Sequence, residues 1–184
     1  MKMPFRTIMI GAVAAVVLAA GSAQATIVHA TTVDTYTQGA GVKGVRSNTA
    51  NALGTPDGKF LSLGLGGSAI FSFGTKFIAK GAVFEVTWGN VSKHQESADI
   101  YGIVGGMAKL LGSINNAIDG SFDFAGIFDQ LRFVDTSPLG KGSKDGFDID
   151  ALNVTPAPVP VPAGGLLLLS AVGGIAMLRR RKRA

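Results

Sequence analysis

Residues 60–73 read FLSLGLGGSAIFSF, and this stretch decides the fold class. Large apolar residues alternate with small or polar ones on both sides of a glycine cluster at 64–67. Alternation with a period of two is typical of a half-buried β-strand, and glycines between two such runs are typical of a turn. The stretch also matches the dinucleotide-binding pattern G-x-G-x-x-A, but that site needs a helix after the glycines. Because residues 70–73 continue the alternation, we predict two strands joined as a hairpin, and no nucleotide site.

Similar runs continue through the middle of the chain. They lie at 26–36, 60–65, 69–73, 82–88, 98–104, 108–114, 131–134 and 147–154, and turn-forming residues separate them. This spacing predicts an all-β domain, a single antiparallel β-sandwich over residues 26–154. The one helical expectation in this part is a short turn of helix within residues 122–131.

The positive charge of the chain lies at its two ends. The formal net charge is +5, which by itself suggests an anionic partner. Residues 26–158, however, carry ten lysines and arginines against twelve acids, a net charge of −2. This balance, without a stripe of arginines and aromatics, predicts no nucleic-acid partner. The chain has no cysteine, which excludes thiol catalysis, disulfides and cysteine-ligated zinc.

The first 25 residues have the three parts of a secretory signal peptide. Basic residues precede an apolar run at 8–20, and Ala23 and Ala25 form an A-x-A signal-peptidase site. We therefore expect a signal helix at 1–25, export through the Sec system and a mature chain that begins at Thr26. A transmembrane anchor is the weaker alternative, because the apolar run is short.

The C-terminal part combines a proline-rich spacer, an apolar run and a basic cluster. Residues 155–162 contain four prolines and no charge, residues 163–178 are apolar, and residues 179–184 are basic. An apolar run of this length can cross a thinned bilayer as a helix, and a cationic cluster stays on the cytoplasmic side. We therefore predict a semi-rigid linker, a transmembrane helix and a basic cytoplasmic tail. A C-terminal helix in a soluble core is the alternative, but it leaves the basic cluster unexplained.

This C-terminal segment resembles a VPxPA-type sorting signal of the PEP-CTERM class of exported Gram-negative proteins. The residues that carry the resemblance are Val159, Pro160, Pro162 and Ala163, followed by the apolar run and by Arg179, Arg180 and Arg181. The resemblance implies that an exosortase, an intramembrane cysteine transpeptidase, recognises these residues in an inner-membrane intermediate. It also implies transfer to the cell surface or extracellular matrix. The scissile bond, and whether the tail is removed or stays as an anchor, are left open.

Short motifs of the middle domain are similar to the galactose-binding-like jelly roll, which is common in bacterial surface proteins. They are, in chain order, residues 51–58 (NALGTPDG), 61–68 (LSLGLGGS), 84–86, 96–101, 110–115, 131–135 and 145–152 (DGFDIDAL). The resemblance implies a jelly-roll sandwich, and such domains often bind carbohydrate or a structural calcium ion. The fold hosts many functions, so the resemblance alone does not name one.

Acidic residues near the end of the domain are candidate calcium ligands. Asp148 and Asp150 alternate with apolar residues and should share one face of a strand. Asp57, in a Pro-Asp-Gly turn, is the candidate third ligand. Because calcium prefers several oxygen ligands, these three side chains form a hypothetical calcium site. The alternative is an ordinary solvated face of a terminal strand, with Asp145 in a turn.

Candidates for ligand stacking and for catalysis are few. Trp88 ends an alternating run and is a candidate to stack on a sugar ring, although packing in the core is the commoner role. His94 lies in a polar loop, and no serine has the surroundings of an activated nucleophile, so we expect this histidine to be solvated. We therefore expect no enzyme. A pair of carboxylates acting as a glycosidase stays open, because pairs formed only in space are invisible in a sequence.

These patterns predict an exported, non-enzymatic surface or matrix protein, associated with biofilm or exopolysaccharide. Its expected partners are the Sec machinery, signal peptidase, an exosortase and the inner membrane, with a polysaccharide as a further candidate. Two alternatives from other classes stay open: a carbohydrate-binding module assisted by calcium, and a secreted hydrolase.

Overall fold

The protein is all-β in the part that the computed structural model describes, which is residues 26–87, 90–117, 120–158 and 173. Its strands are β1 (Val28–His29), β2 (Thr32–Thr37), β3 (Leu61–Ser62), β4 (Ser68–Glu85), β5 (Ser97–Val104), β6 (Met107–Asn115), β7 (Ser121–Asp135) and β8 (Asp148–Pro156). Two short 3₁₀-helical turns, Gly44–Ser47 and Thr49–Ala52, lie between β2 and β3. The all-β prediction is confirmed.

The strands form one antiparallel sheet that bends around a shared core. Its order is β1-β8-β4-β7-β5-β6, with β2 beside β4 and β3 beside β8. The first part of β4 pairs with β2 and its second part with β8, while β7 pairs along both parts. The register between β4 and β7 shifts between Ser72 and Phe77 and again between Ile78 and Lys80. Such irregularities bend strands, and the result is consistent with a β-sandwich.

Aromatic residues of the two long strands fill the core. Phe71 of β4 and Phe133 of β7 are fully buried, and their rings meet edge to face with centroids 5.8 Å apart. Phe73 and Phe77 meet in the same manner at 4.8 Å. Ala69, Phe71 and Phe73 occupy every second position, so the alternation in the sequence does mark the buried face of a strand.

Two local predictions are wrong. Residues 60–65 and 69–73 do not form a hairpin, because β3 pairs with β8 whereas β4 pairs with β2, β7 and β8. The glycines between them still turn the chain, and the Gly67 N–H donates to the Gly64 carbonyl at 2.8 Å. Residues 122–131 lie inside β7 rather than in a helical turn, because Phe122 and other apolar residues there join the core, and such burial overrides local preference.

The predicted targeting segments fall almost wholly outside the described residues. These are the signal peptide at 1–25, the helix at 163–178 apart from Gly173, and the tail at 179–184. Within the described ranges, no helix is long and apolar enough to span a membrane. The predicted linker begins within the sheet, because β8 continues to Pro156.

Candidate functional site

A cleft of about 700 Å³ opens at one end of the sheet, where three long connections converge. The connection between β2 and β3 contributes Arg46 and Phe60. The segment between β4 and β5 contributes Val86 and His94, and the β7–β8 connection with the start of β8 contributes Asp145 and Asp148. The lining therefore comes from residues about 100 positions apart in sequence.

Glycines allow these connections to approach one another. Gly41 has a φ of +93°, and a Cβ there would lie 1.7 Å from the Lys144 carbonyl oxygen. Gly142 has a φ of +98°, and a Cβ there would lie 2.0 Å from the Lys93 carbonyl oxygen. Any other residue at either position would meet backbone and adopt a disfavoured conformation, so both glycines help to set the shape of the cleft.

Three buried carboxyl groups meet where the cleft reaches the sheet. One oxygen from each of Glu96, Asp145 and Asp148 lies within 4.8 Å of the others. The three residues are 1%, 6% and 5% exposed, respectively. Asp145 and Asp148 line the cleft, while Glu96 lies next to them in the interior. Within the described residues, no other group of three carboxylate, imidazole or thiol donors is so close. We call these three residues the acidic cluster.

The acidic cluster sits in surroundings that favour protonated acids. Burial, then the charge of Asp148 and the contact with Glu85, raises the pKa of Glu96 to about 9. Burial likewise raises the pKa of Asp148 to about 7, although the Ser62 hydroxyl opposes the shift. Burial also raises the pKa of Glu85. At neutral pH, Glu96 therefore holds a proton, and Asp148 is partly protonated.

Hydrogen bonds satisfy only some oxygens of the acidic cluster. Glu96 Oε1 accepts from the Ser143 hydroxyl at 2.9 Å and lies 2.8 Å from His94 Nε2. Glu96 Oε2 and Asp148 Oδ1 are buried, and neither accepts a hydrogen bond from a donor in the described part of the chain. Glu96 also contacts the carboxyl group of Glu85. Two carboxylates offer only acceptors, so that contact is a hydrogen bond only while one of them is protonated.

Arg46 is the cation that directly contacts the acidic cluster. Its guanidinium donates to Asp145 Oδ2 in an ion pair, and it lies 5.3 Å from the centroid of the Phe60 ring. The bond to Asp145 raises the pKa of Arg46. Lys43 and Lys144 line the same cleft with exposed side chains, and neither belongs to an ion pair within the described ranges.

The structure separates the three predicted calcium ligands. Asp57 turns its exposed carboxylate to Lys59, whose ammonium nitrogen lies at 2.6 Å. Asp150 accepts the backbone N–H groups of Asp57 at 3.0 Å and Gly58 at 2.9 Å, so it anchors that loop with both oxygens. Asp148 alone belongs to the acidic cluster. Asp148 and Asp150 are 5% and 6% exposed, so the alternative of a solvated strand face is wrong.

His94 is not the solvated residue expected from its polar loop. Its side chain is 23% exposed, and its contact with Glu96 ties the loop to the acidic cluster. Other predicted site residues lie outside the described residues, and the predictions for them stand untested. They are Trp88, the signal-peptidase residues Ala23 and Ala25, and the sorting residues Val159, Pro160, Pro162, Ala163, Arg179, Arg180 and Arg181.

Sequence reasoning missed Glu96 and Arg46 as site residues and treated Asp145 as a turn residue. Glu96 is brought to the cluster by the start of β5, and Glu85 by the end of β4, which pairs with the start of β8. A partial signal was present, because residues 96–101 and 145–152 both belong to the jelly-roll motifs. Their proximity could not be inferred, because alternation defines the face of a strand but not its neighbour.

No protein family matches the chain by sequence, and no curated protein matches it either. Among solved structures, the family 32 CBM from C. perfringens NanJ, in complex with galactose, is 20% identical with a TM-score of 0.38, over 50% of this chain and 67% of that one. The CBM32 of AlyQ, in complex with 4,5-unsaturated mannuronic acid, is 15% identical with a TM-score of 0.42, and the match covers 70% of this chain and 98% of that one. GH31 CBM32-2, bound to GalNAc, is 11% identical with a TM-score of 0.39, and the match covers 70% of this chain and 97% of that one. Because these TM-scores are below 0.5, the likenesses carry no argument about a ligand of this chain.

Proposed function

We propose that this protein is an exported, non-enzymatic component of the cell surface or extracellular matrix, whose jelly-roll domain binds carbohydrate in the cleft. The observation that carries the proposal is the mixed lining of the cleft. Phe60 and Val86 provide apolar surface, while Arg46, His94 and Asp145 provide hydrogen-bonding groups beside it. A sugar has the same two kinds of surface, because its hydroxyls donate and accept while its C–H faces are apolar.

The size of the cleft suits a ligand of this kind. Its volume of about 700 Å³ lies within the roughly 300–1,000 Å³ that is usual for small-molecule sites. The aromatic ring of Phe60 is half-buried and is held against Arg46, so one apolar wall of the cleft is already formed. Trp88 remains a second candidate for stacking, from its place in the sequence.

The charges at the cleft favour an anionic saccharide. Lys43 and Lys144 are exposed there, and Arg46 offsets the charge of Asp145. Since the pKa of Glu96 is raised to about 9, that residue adds little negative charge at neutral pH. A saccharide with carboxylate groups, such as a polymer containing uronic acids, would meet the two lysines as charged partners.

Binding of polysaccharides to the exported protein tests this proposal. Retention would be measured on immobilised uronate-containing and neutral polysaccharides, at low and at high salt. We expect retention on the acidic polymer and an at least tenfold loss of affinity in the double variant Lys43→Ala/Lys144→Ala. Lys76→Ala is the matched control, because Lys76 is also exposed but pairs with Asp129 away from the cleft.

Two results would contradict the proposal. One is the absence of binding to every polysaccharide tested, and the other is unchanged binding by the double lysine variant. The size distribution of the polymer after incubation separates binding from hydrolysis, because a hydrolase shortens the chains and a binding domain does not.

The export part of the proposal is supported by the sequence at 1–25 and 155–184. It predicts cleavage by signal peptidase after Ala25 and sorting by an exosortase through Val159–Ala163. Intact mass and location would be compared in a host with an exosortase and in one without it. A mass that ends near Ala163, at the surface or in the medium of the first host only, is expected. A mass that still includes Arg179–Arg183 in the inner membrane of both hosts would overturn it.

A further inference from the structure

The surroundings of the acidic cluster contain more acids than cations. Glu85 contacts Glu96, which brings the number of neighbouring acids to four with Asp145 and Asp148. Among the described residues, Arg46 is the one permanent cation that pairs with these acids, and its partner is Asp145. Burying like charges together is costly unless protons or a cation offset them. Protons or a bound cation must therefore offset the charge of the remaining acids here.

Buried carboxyl oxygens without a donor mark where that charge is needed. Glu96 is 1% exposed and Asp148 is 5% exposed, yet Asp148 Oδ1 lacks a donor among the described residues, and so do Glu96 Oε2 and Glu85 Oε1 unless a proton lies between those two carboxyl groups. A buried carboxylate oxygen without a donor costs more than an exposed one, and such atoms are rare in folded proteins. Glu96 and Asp148 belong to the acidic cluster, so a cation placed between its three converging oxygens could take one ligand from each residue.

The cleft provides a route to this place. Asp145 and Asp148 line it, and Glu96 offers an oxygen within 4.8 Å of theirs. Hydroxyl oxygens lie close by, since the Ser143 hydroxyl is 2.9 Å from Glu96 and the Ser62 hydroxyl is 3.4 Å from Asp145. The available donors are thus mainly oxygens, which suit calcium, magnesium and manganese rather than zinc.

We propose that a divalent cation, calcium in preference to magnesium, binds between Glu96, Asp145 and Asp148. Calcium accepts several carboxylates in irregular geometry and completes its shell with water, whereas magnesium dehydrates reluctantly and usually takes only one or two carboxylates. This site shares only Asp148 with the site predicted from the sequence. The proposal goes beyond carbohydrate binding and does not depend on it, because the cation can be measured with no saccharide present.

Carboxylate ligands must lose their protons to hold a cation, so we expect the affinity for calcium to rise with pH. His94, Arg46 and Glu85 are the other titratable or charged groups that contact Glu96 or Asp145. An arrangement in which Glu85 and Glu96 permanently share a proton is the competing explanation.

The test uses the exported protein, freed of metal with chelator and then titrated with CaCl₂ or MgCl₂ by calorimetry and by thermal unfolding. We expect calcium to bind with a Kd of about 10⁻⁴–10⁻³ M, as in other extracellular modules. Saturation should raise Tm by roughly 5 °C. Magnesium should bind at least tenfold more weakly.

Three variants assign the site. Glu96→Gln keeps the shape of the side chain and replaces a carboxyl that is already protonated, so it should fold normally and lose the calcium response. Asp148→Asn should lose the calcium response as well, so the conclusion does not depend on the correct folding of a single variant. The matched control is Asp57→Asn, at a residue of the calcium site predicted from the sequence, and it should respond to calcium like the wild type.

Two results would overturn the proposal. A wild-type protein whose heat signal and Tm do not change with calcium would show that protons alone satisfy the acidic cluster. A calcium response that survives Glu96→Gln and Asp148→Asn but disappears in Asp57→Asn would place the ion elsewhere. Failure of polysaccharide binding would leave both measurements unaffected, so the two proposals can fail separately.

Discussion

The ion pair between Arg46 and Asp145 should stabilise the fold far more than an exposed ion pair. The side chain of Asp145 is 8% exposed and that of Arg46 is 43% exposed, so water screens the pair from one side only. Breaking a buried pair costs about 3–5 kcal/mol, and an exposed pair contributes about 0–1 kcal/mol. Because the burial of this ion pair is intermediate between the two cases, we expect Arg46→Met to lower the free energy of unfolding by about 2 kcal/mol.

Because of the acids around Asp145, Arg46→Met and Asp145→Asn should lower the free energy of unfolding by different amounts. Arg46→Met leaves a buried carboxylate beside Glu96 and Asp148 without its counter-charge. Asp145→Asn removes that carboxylate and its repulsion from the other acids, so it should cost less than Arg46→Met. In the Asp145→Asn background, Arg46→Met should then have little further effect.

A double-mutant cycle by urea unfolding measures this coupling. Circular dichroism would follow unfolding in the presence of chelator, with equal m-values required across the four proteins. The same cycle on Lys76 and Asp129, an ion pair whose side chains are 63% and 38% exposed, is the control. We expect a coupling energy of about 1–2 kcal/mol for Arg46 and Asp145 and none measurable for the control pair. Equal coupling in the two cycles would refute the reasoning.

Three further perturbations follow from the same structure. In chelator, the free energy of unfolding should fall as pH rises from 4.5 towards about 9, because folded Glu96 keeps a proton that the unfolded chain has released. Above pH 7, where Asp148 no longer adds to it, the slope should approach about 1.4 kcal/mol per pH unit, and Glu96→Gln should flatten it there in urea titrations at several pH values. Phe133→Ala should cost about 3–5 kcal/mol in urea unfolding, because it leaves a cavity beside Phe71. Asp150→Ala removes the acceptor of two backbone N–H groups at residues 57–58, so limited proteolysis should cut there sooner than in the wild type.

The strands were largely predictable, because alternation is a local property of the sequence. The predicted run at 98–104 corresponds to β5 and the run at 108–114 to β6, each within one residue at either end. The runs at 69–73 and 82–88 were expected as separate strands, but residues 74–81 join them in β4. That junction contains glycine and two lysines, which local rules treat as a turn, and pairing with β7 and β8 keeps it extended.

The candidate site was only partly predictable. Asp148 was chosen from its alternation and belongs to the acidic cluster. Asp150, chosen on the same ground, and Asp57, chosen from its Pro-Asp-Gly turn, instead form a loop anchor. Apart from its place in a motif similar to those of the jelly roll, nothing near Glu96 in the sequence distinguishes it from a surface acid. Its burial depends on how residues 90–96 pack against the β7–β8 connection, which local patterns do not specify.

The sequence alone determined that the domain is all-β, that it has no cysteine chemistry and that its excess positive charge lies at the chain ends. These properties follow from composition and from the period of two along a strand. The tertiary structure alone decided that β3 pairs with β8, and that Glu96, Asp145 and Asp148 meet beside one cleft. The reason is that a side chain's face is set by its immediate neighbours in sequence. Its partners across the sheet are set by the burial of the whole core, which no single segment encodes.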